Sequence, residues 1–401
     1  MTPARKIAPP DWMTAPAAGA VLGALARAGG AARFVGGCVR DAVIGRNVTD
    51  VDIATDLAPE SVMTALKQAG LKAVPTGMAH GTVTAVSEHR PYEITTLRRD
   101  VETDGRHARV EFTDDWAADA ARRDFTMNAL YADADGTVYD PTGGLADLAA
   151  HRVRFVGAPA QRIEEDALRI LRFFRFHAHY GQGEPDMAGL DACAAAAARI
   201  AGLSAERVAQ EMRKLLKAEA APQTVWLMSA RGILAPVSPA LTRFERLDRL
   251  VAIERELGEA EPMRRLAALL PTDEAAALAL AERLRLSVKE RERLAAMTHL
   301  PSPPIAARVE RYRRGAEGFR DAVLLAGADG ADWRAALDAA GSWRPPAFPL
   351  RGADLLKLGL APGPAVGELL QRLEREWIAG GFRPGKAGLL ARAREAAAQV
   401  K

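Results

Sequence analysis

Cysteine is nearly missing from this chain: 401 residues contain two, Cys38 and Cys193. Two thiols cannot build a disulfide framework, which excludes the small stapled secreted class and suits a reducing compartment, here the cytoplasm. No stretch approaches the roughly 18 apolar residues of a membrane span. The alanine-rich run at 192–198 is short and weakly apolar. The first residues, with Pro3, Pro9, Pro10 and Asp11, hold no apolar secretory core. Aromatic residues make up only 5% while alanine abounds, so the cores are built from Ala and Leu in tightly packed helices. Neither sign of charge dominates: 54 basic residues face 51 acidic ones, a net +3. That balance is compatible with a nucleic-acid partner but does not require one.

The chain has enough apolar residues, 49%, for sizeable cores, and its 26% of charged residues do not mark it as disordered. Up to about residue 150 the pattern is mixed. Short runs rich in Val, Ile and Thr predict strands at 32–35, 52–55, 71–74, 81–86 and 92–97. Helical spacing predicts helices at 17–28, 39–44 and 60–69, each closed by glycine. The charged, glycine-bearing stretch 98–109 predicts a mobile loop. From Asp115 helical spacing dominates, interrupted by the turn Asp140–Gly144 and a last short strand at 153–156. Everything after about Gly157 reads as helix, broken near 181–185, 236–239, 301–304 and 344–349. The fold class is therefore α+β, a small mixed sheet followed by an all-helical remainder.

The chemistry concentrates in a few strings. Asp50 and Asp52 lie one residue apart, and alternation along a strand points i and i+2 the same way. Two adjacent carboxylates repel unless a cation joins them, and Mg²⁺ takes one or two carboxylates plus substrate phosphates. The plainer alternative is a turn cap beside a solvated strand end. Just upstream, Gly36-Gly37 enters a helix, where bare backbone N–H groups can approach phosphate. Arg40 follows on the first turn, as a phosphate contact or as a surface pair with Asp41. Glu93, on a later strand, is a possible third carboxylate or an exposed strand residue. Arg122, Arg123 and Asn128 read as one amphipathic helix able to bracket a triphosphate or ribose, or as an ordinary solvated face. Asp140 through Leu148 is a turn and helix start whose plainer role is architectural.

Glu165-Asp166-Ala167-Leu168-Arg169 bears on substrate choice. Asp166 and Arg169, at i and i+3, are neighbours on one helix face. They are either an intrahelical ion pair or a stencil for a base. Cytosine and adenine both offer an amine donor beside a ring-nitrogen acceptor, which an Asp and an Arg complement. Guanine and uracil reverse that pattern, and each unpaired buried polar group costs roughly 1–3 kcal/mol. Arg172 continues the row. Arg175 sits about 180° from Asp166 on an ideal helix and touches something else.

The strings GGCVRD, DVDIAT, EITTLR, RRDFTMNAL, DPTGGLADL and EDALRILR stand in this order between residues 36 and 172. They resemble the class II tRNA nucleotidyltransferase and bacterial poly(A) polymerase superfamily, within the polymerase beta-like nucleotidyltransferases. LSAERVAQEMRKLL, RLRLSVKERERL and RGADLLKLGLAPGPAVGELL are similar to its later helical parts. The resemblance implies a catalytic head over 1–150, a neck with a nucleotide-selecting helix over 151–235, a body over 236–300 and a tRNA-binding tail over 301–401. It implies Asp50 and Asp52 as Mg²⁺ ligands, Gly37, Arg40 and Arg123 as nucleotide contacts, and Asp166, Arg169, Arg172 and Arg175 as the base-selecting set. It implies addition of C, C and A to the tRNA 3′ end from CTP and ATP. Pro75 through Val83 looks like the CCA-adding type. A C-terminal phosphohydrolase domain is not visible, since His299 is the only histidine after residue 179. The alternatives are a poly(A) polymerase, an A-adding or CC-adding specialist, or a helical RNA-binding protein with an inactive head. Arg311, Arg313, Arg314, Arg383 and Lys386 are candidate RNA-facing cations.

Overall fold

A computed structural model describes residues 1–104 and 107–398. Among the described residues there are ten strands: β1 (Pro3–Lys6), β2 (Ala32–Val35), β3 (Val51–Thr55), β4 (Lys72–Gly77), β5 (Thr82–Ser87), β6 (Arg90–Thr96), β7 (Arg98–Asp104), β8 (His107–Phe112), β9 (Tyr131–Ala132) and β10 (Thr137–Tyr139). Eight form one mixed sheet in the order β1-β10-β9-β2-β3-β6-β5-β4. Only β3 and β6 run parallel, and their register sets Asp52 beside Glu93. The remaining neighbours are antiparallel, as hairpins and short returns allow. The helices Pro16–Arg27 and Pro59–Gln68 each begin on a proline, whose missing N–H costs nothing at a first turn. They bury Val21, Leu25, Val62 and Leu66 in the core that also takes Phe34, Ile53, Val83 and Ile94.

The structure corrects four expectations. The stretch 98–109 is a two-stranded antiparallel hairpin, β7 with β8, apart from Gly105-Arg106, which lies outside the described residues. Strands β1, β9 and β10, two to four residues long, complete the sheet, and residue patterning predicted none of them. Residues 153–156 form no strand; Phe155 makes an isolated bridge to Phe125. Arg122, Arg123 and Asn128 do not share a helix, because the helix Trp116–Ala121 ends before them and Thr126–Asn128 is a separate 3-10 turn. Past Gly157 every element among the described residues is helical.

The few aromatic residues are not spread evenly. Phe125 and Phe155 meet Phe173 and Phe176 of the helix Leu168–Tyr180, with ring centroids 4.8–6.3 Å apart. This cluster glues the sheet-bearing part to the first long helices. A second group, Tyr312, Trp343, Phe348, Trp377 and Phe382, surrounds the separate C-terminal core.

Between these lies a buried charge network. Glu254 is fully buried and takes Arg264 at 2.7 Å and Arg265 at 2.5 Å. Arg265 also donates to the carbonyls of Leu216 and Ala218, at the end of the helix Ala205–Leu216. Removing one partner of such a network strands the others' charge. Glu254→Ala is therefore expected to cost about 3–5 kcal/mol in urea unfolding. A loss under 1 kcal/mol would contradict this reading.

Candidate active site

The sheet delivers its chemistry at one edge of a cavity of about 440 Å³. Strand β2 ends at Val35, and Gly36 turns the chain with φ +74°, a left-handed conformation that disfavours a side chain. A Cβ at Gly36 would also lie 3.5 Å from Nη1 of Arg123. Gly37 then opens the helix Gly37–Val43, which carries Arg40. Asp50 immediately precedes β3 and Asp52 is its second residue; both line the cavity, as alternation requires. Arg123, Asn128, Arg172 and Arg175 line it too.

The carboxylates are crowded. Asp52 is pushed up to about 6 by burial first, then by the charge of Glu93 and of Asp50, while Arg123 opposes the rise. Asp50 accepts a 3.2 Å hydrogen bond from Thr49. Neither aspartate forms an ion pair in the described structure. Glu93 stands outside the cavity lining and acts on Asp52 across the β3–β6 register. Among the described residues no three His, Cys, Asp or Glu side chains converge as a ready metal cage.

The arginines, by contrast, are held. Asp119 takes Arg122 at 2.6 Å and Arg123 at 2.9 Å, and Tyr131 donates to it at 2.7 Å. Burial would raise Asp119, yet the two guanidinium groups hold it down at about 2. Asp124 accepts from Arg172 Nε at 2.8 Å and from Asn128 at 3.1 Å. Its carboxyl stays below the usual range, because the Arg172 charge outweighs the burial. Arg175 donates to buried Glu211 at 2.5 Å. Lys214, one turn on from Glu211, also reaches the cavity.

Asp166 and Arg169 depart most from the spacing argument. They share no helix face, because the helix Pro159–Glu165 stops at Asp166, whose φ −152° and ψ 106° are extended. The carboxylate instead caps Leu168 N–H at 3.0 Å and takes Arg207 at 2.6 Å. Arg169 pairs with Glu165 at 2.5 Å and donates to the Arg162 and Arg122 carbonyls. Neither residue lines the cavity, although the Asp166 charge is felt by Arg172. The sequence reading did not single out Asp119, Asp124, Arg207, Glu211 or Lys214. Asp124 stands inside RRDFTMNAL, and the last three inside LSAERVAQEMRKLL, so both strings held the signal. Of the candidate RNA-facing cations, Arg314 and Lys386 are paired with Glu310 and Asp354.

A family model described as the poly A polymerase head domain matches residues 32–154. A second, a probable RNA and SrmB-binding site of polymerase A, matches residues 188–245. The mitochondrial CCA tRNA nucleotidyltransferase 1 of Mus musculus is 37% identical over 377 residues, covering 89% of this chain and 85% of that protein. The chain belongs to the CCA-adding tRNA nucleotidyltransferase family. The CCA-adding enzyme of Limosilactobacillus fermentum is 33% identical, with 90% and 92% of the two chains covered. The crystal structure of the Bacillus stearothermophilus CCA-adding enzyme in complex with CTP superimposes with a TM-score of 0.79 at 28% identity. That match covers 94% of this chain and 96% of the other. The α+β class and the helical C-terminal portion agree with that fold. No helix among the described residues is long and apolar enough to cross a membrane.

Proposed function

We propose that this chain adds C, C and A to the 3′ end of tRNA from CTP and ATP, without a nucleic-acid template, releasing pyrophosphate. The observation that carries the reading is the single cavity joining Asp50 and Asp52 to Arg40, Arg123, Arg172 and Arg175, in a chain whose relatives are named for CCA addition. The cationic wall suits a triphosphate and the acidic edge a divalent ion.

Asp50 and Asp52 fit Mg²⁺. Two unpaired carboxylates, one driven toward protonation by burial and then by its acidic neighbours, form a site that a cation would relax. Among the described residues no third protein ligand converges, so a Mg²⁺ held by Asp50 and Asp52 would take further ligands from the substrate. When bound, in a two-ion arrangement, the metal supplies activation of the attacking 3′-hydroxyl and charge for the pyrophosphate leaving group. Arg123 and Arg40 orient the triphosphate, with the bare backbone of Gly36 and Gly37 beside it. Asn128 steadies Arg40, and Arg172 and Arg175 wall the base side. Asp166 and Arg169 choose the base, which requires both to turn from their partners Arg207 and Glu165 toward the cavity. Glu93 tunes Asp52. The division into head 1–150, neck 151–235, body 236–300 and tRNA-holding tail 301–401 completes the reading, with the cytoplasm as the compartment.

The test is a purified-protein reaction with tRNA lacking its 3′ CCA, labelled CTP, ATP and Mg²⁺. The expected product is exactly three nucleotides longer, with one pyrophosphate per addition. Use of ATP alone with long tails would make it a poly(A) polymerase instead. Stopping after CC, or adding only A to tRNA ending in CC, would make it a specialist.

Asp52 must ionise to hold a cation, so protons and metal compete. At limiting Mg²⁺ the acid limb of CTP addition is expected near pH 6, moving to lower pH as Mg²⁺ rises. A limb indifferent to Mg²⁺ would contradict this.

A further inference from the structure

We propose that Tyr180 is a positioning residue that latches the nucleotide-selecting helix to the catalytic sheet, and so contributes to base selectivity. Charged groups tie the helix Leu168–Tyr180 to the sheet-bearing part near its start, where Arg169 donates to the Arg122 carbonyl, and at its end. Near its start Arg172 holds Asp124. At its last residue, Tyr180 meets the helix that carries Arg40. The Tyr180 hydroxyl accepts from Arg40 Nη2 at 2.6 Å and donates to Asp41 at 3.0 Å. Its ring carries the Arg40 guanidinium at 4.1 Å and that of Arg46 at 4.5 Å. Arg46 also donates to the neighbouring His179 carbonyl at 2.8 Å.

This arrangement uses up most of Arg40. Its Nε and Nη2 engage Asp41, Nη2 also engages Tyr180, and Nη1 engages Asn128 at 2.6 Å. A guanidinium has five N–H donors, so one Nη1 hydrogen is left for a nucleotide. Arg40 is thus as much a strut as a ligand. Asn128 in turn donates to Asp124, which holds Arg172. The chain Tyr180, Arg40, Asn128, Asp124, Arg172 closes a loop between two residues about 12 Å apart along one helix. The Arg172 and Arg169 bonds and the phenylalanine cluster hold the start and middle of the helix against the sheet-bearing part. The Tyr180 bonds hold its end, so losing them frees that end to shift relative to Arg40. The carboxylates Asp50 and Asp52 are anchored in the sheet and the base-selecting residues on the helix side. A small rotation therefore changes their relative placement, and displacements near 1 Å are costly in catalysis.

The inference rests on the proposed activity, and the experiment separates the two. Wild type, Tyr180→Phe, Tyr180→Ala and Arg46→Ala are compared in single-nucleotide addition with CTP and UTP, reading kcat/KM for each. Tyr180→Phe keeps the ring and loses the hydroxyl bonds. Arg46 is exposed and lies outside the cavity lining, so its variant keeps the test open should the tyrosine variants misfold. The CTP-to-UTP ratio is expected to fall about tenfold in Tyr180→Ala and about threefold in Tyr180→Phe and Arg46→Ala. Loss of folded protein lowers both nucleotides equally and leaves the ratio alone. Ratios within twofold of wild type for both Tyr180→Phe and Arg46→Ala would overturn the latch. Failure of the wild type to add CTP would instead overturn the functional reading.

Discussion

Replacing Asp52 with asparagine is expected to reduce nucleotide addition by at least about 10³-fold while leaving the fold as stable or more stable. On the proposed reading, the activity loss follows from removing one of the two carboxylates assigned to the metal, in a reaction whose barrier is lowered mainly by placed charge. The stability gain follows from the pKa. Asp52 rises from 3.8 to about 6 on folding, through burial and the charges of Glu93 and Asp50. A carboxylate raised in the folded state costs stability once it is ionised. The cost is fully present above about pH 6 and fades as pH falls toward 4. In EDTA at pH 7.5 the asparagine variant should therefore gain about 1–2 kcal/mol, the rise from 3.8 to about 6 being discounted for partial solvation. At pH 4 the two proteins should melt together. A variant that is both inactive and clearly less stable at pH 7.5 would mean that Asp52 is structural.

The second large effect concerns selectivity. Asp166→Ala is expected to lower the CTP-to-UTP ratio by about 10²-fold, since on the proposed reading it deletes the acceptor for an exocyclic amine. In this structure the Asp166 carboxylate is committed to Leu168 N–H and to Arg207. Presenting it to a base requires the Arg207 bond to loosen or be shared. Arg207→Ala should therefore also erode selectivity, by less, because the carboxylate survives without its guide. Four-nucleotide incorporation assays measure both. Unchanged ratios in Asp166→Ala would remove the stencil from the account.

What was legible in the sequence was local. Asp50 and Asp52 could be placed on one edge because strand alternation needs only two residues' spacing. Gly36 was legible because a left-handed turn before a helix favours glycine. The runs that became β3, β5 and β6 were rich in Val, Ile and Thr. Strands β9 and β10 were hidden because two or three residues carry no pattern; neighbouring strands, not propensity, make them strands. The stretch 98–109 looked like a loop because its residues are mostly charged and include a glycine. The Asp166–Arg169 spacing misled because no glycine or proline announces the break. The aspartate itself ends one helix by capping the next, which is the competition that disfavours Asp inside helices. The holders of the arginines were out of reach for another reason. Asp124 with Arg172, and Asp166 with Arg207, are 48 and 41 residues apart, and only packing joins them.

The central claim is that one metal-bearing cavity selects two different nucleotides in order. It is tested most directly by offering each of the four triphosphates singly to tRNA lacking CCA and to tRNA already ending in CC. The account predicts CTP alone on the first acceptor and ATP alone on the second, with no incorporation into tRNA ending in CCA. The same preferred nucleotide on both acceptors would contradict it.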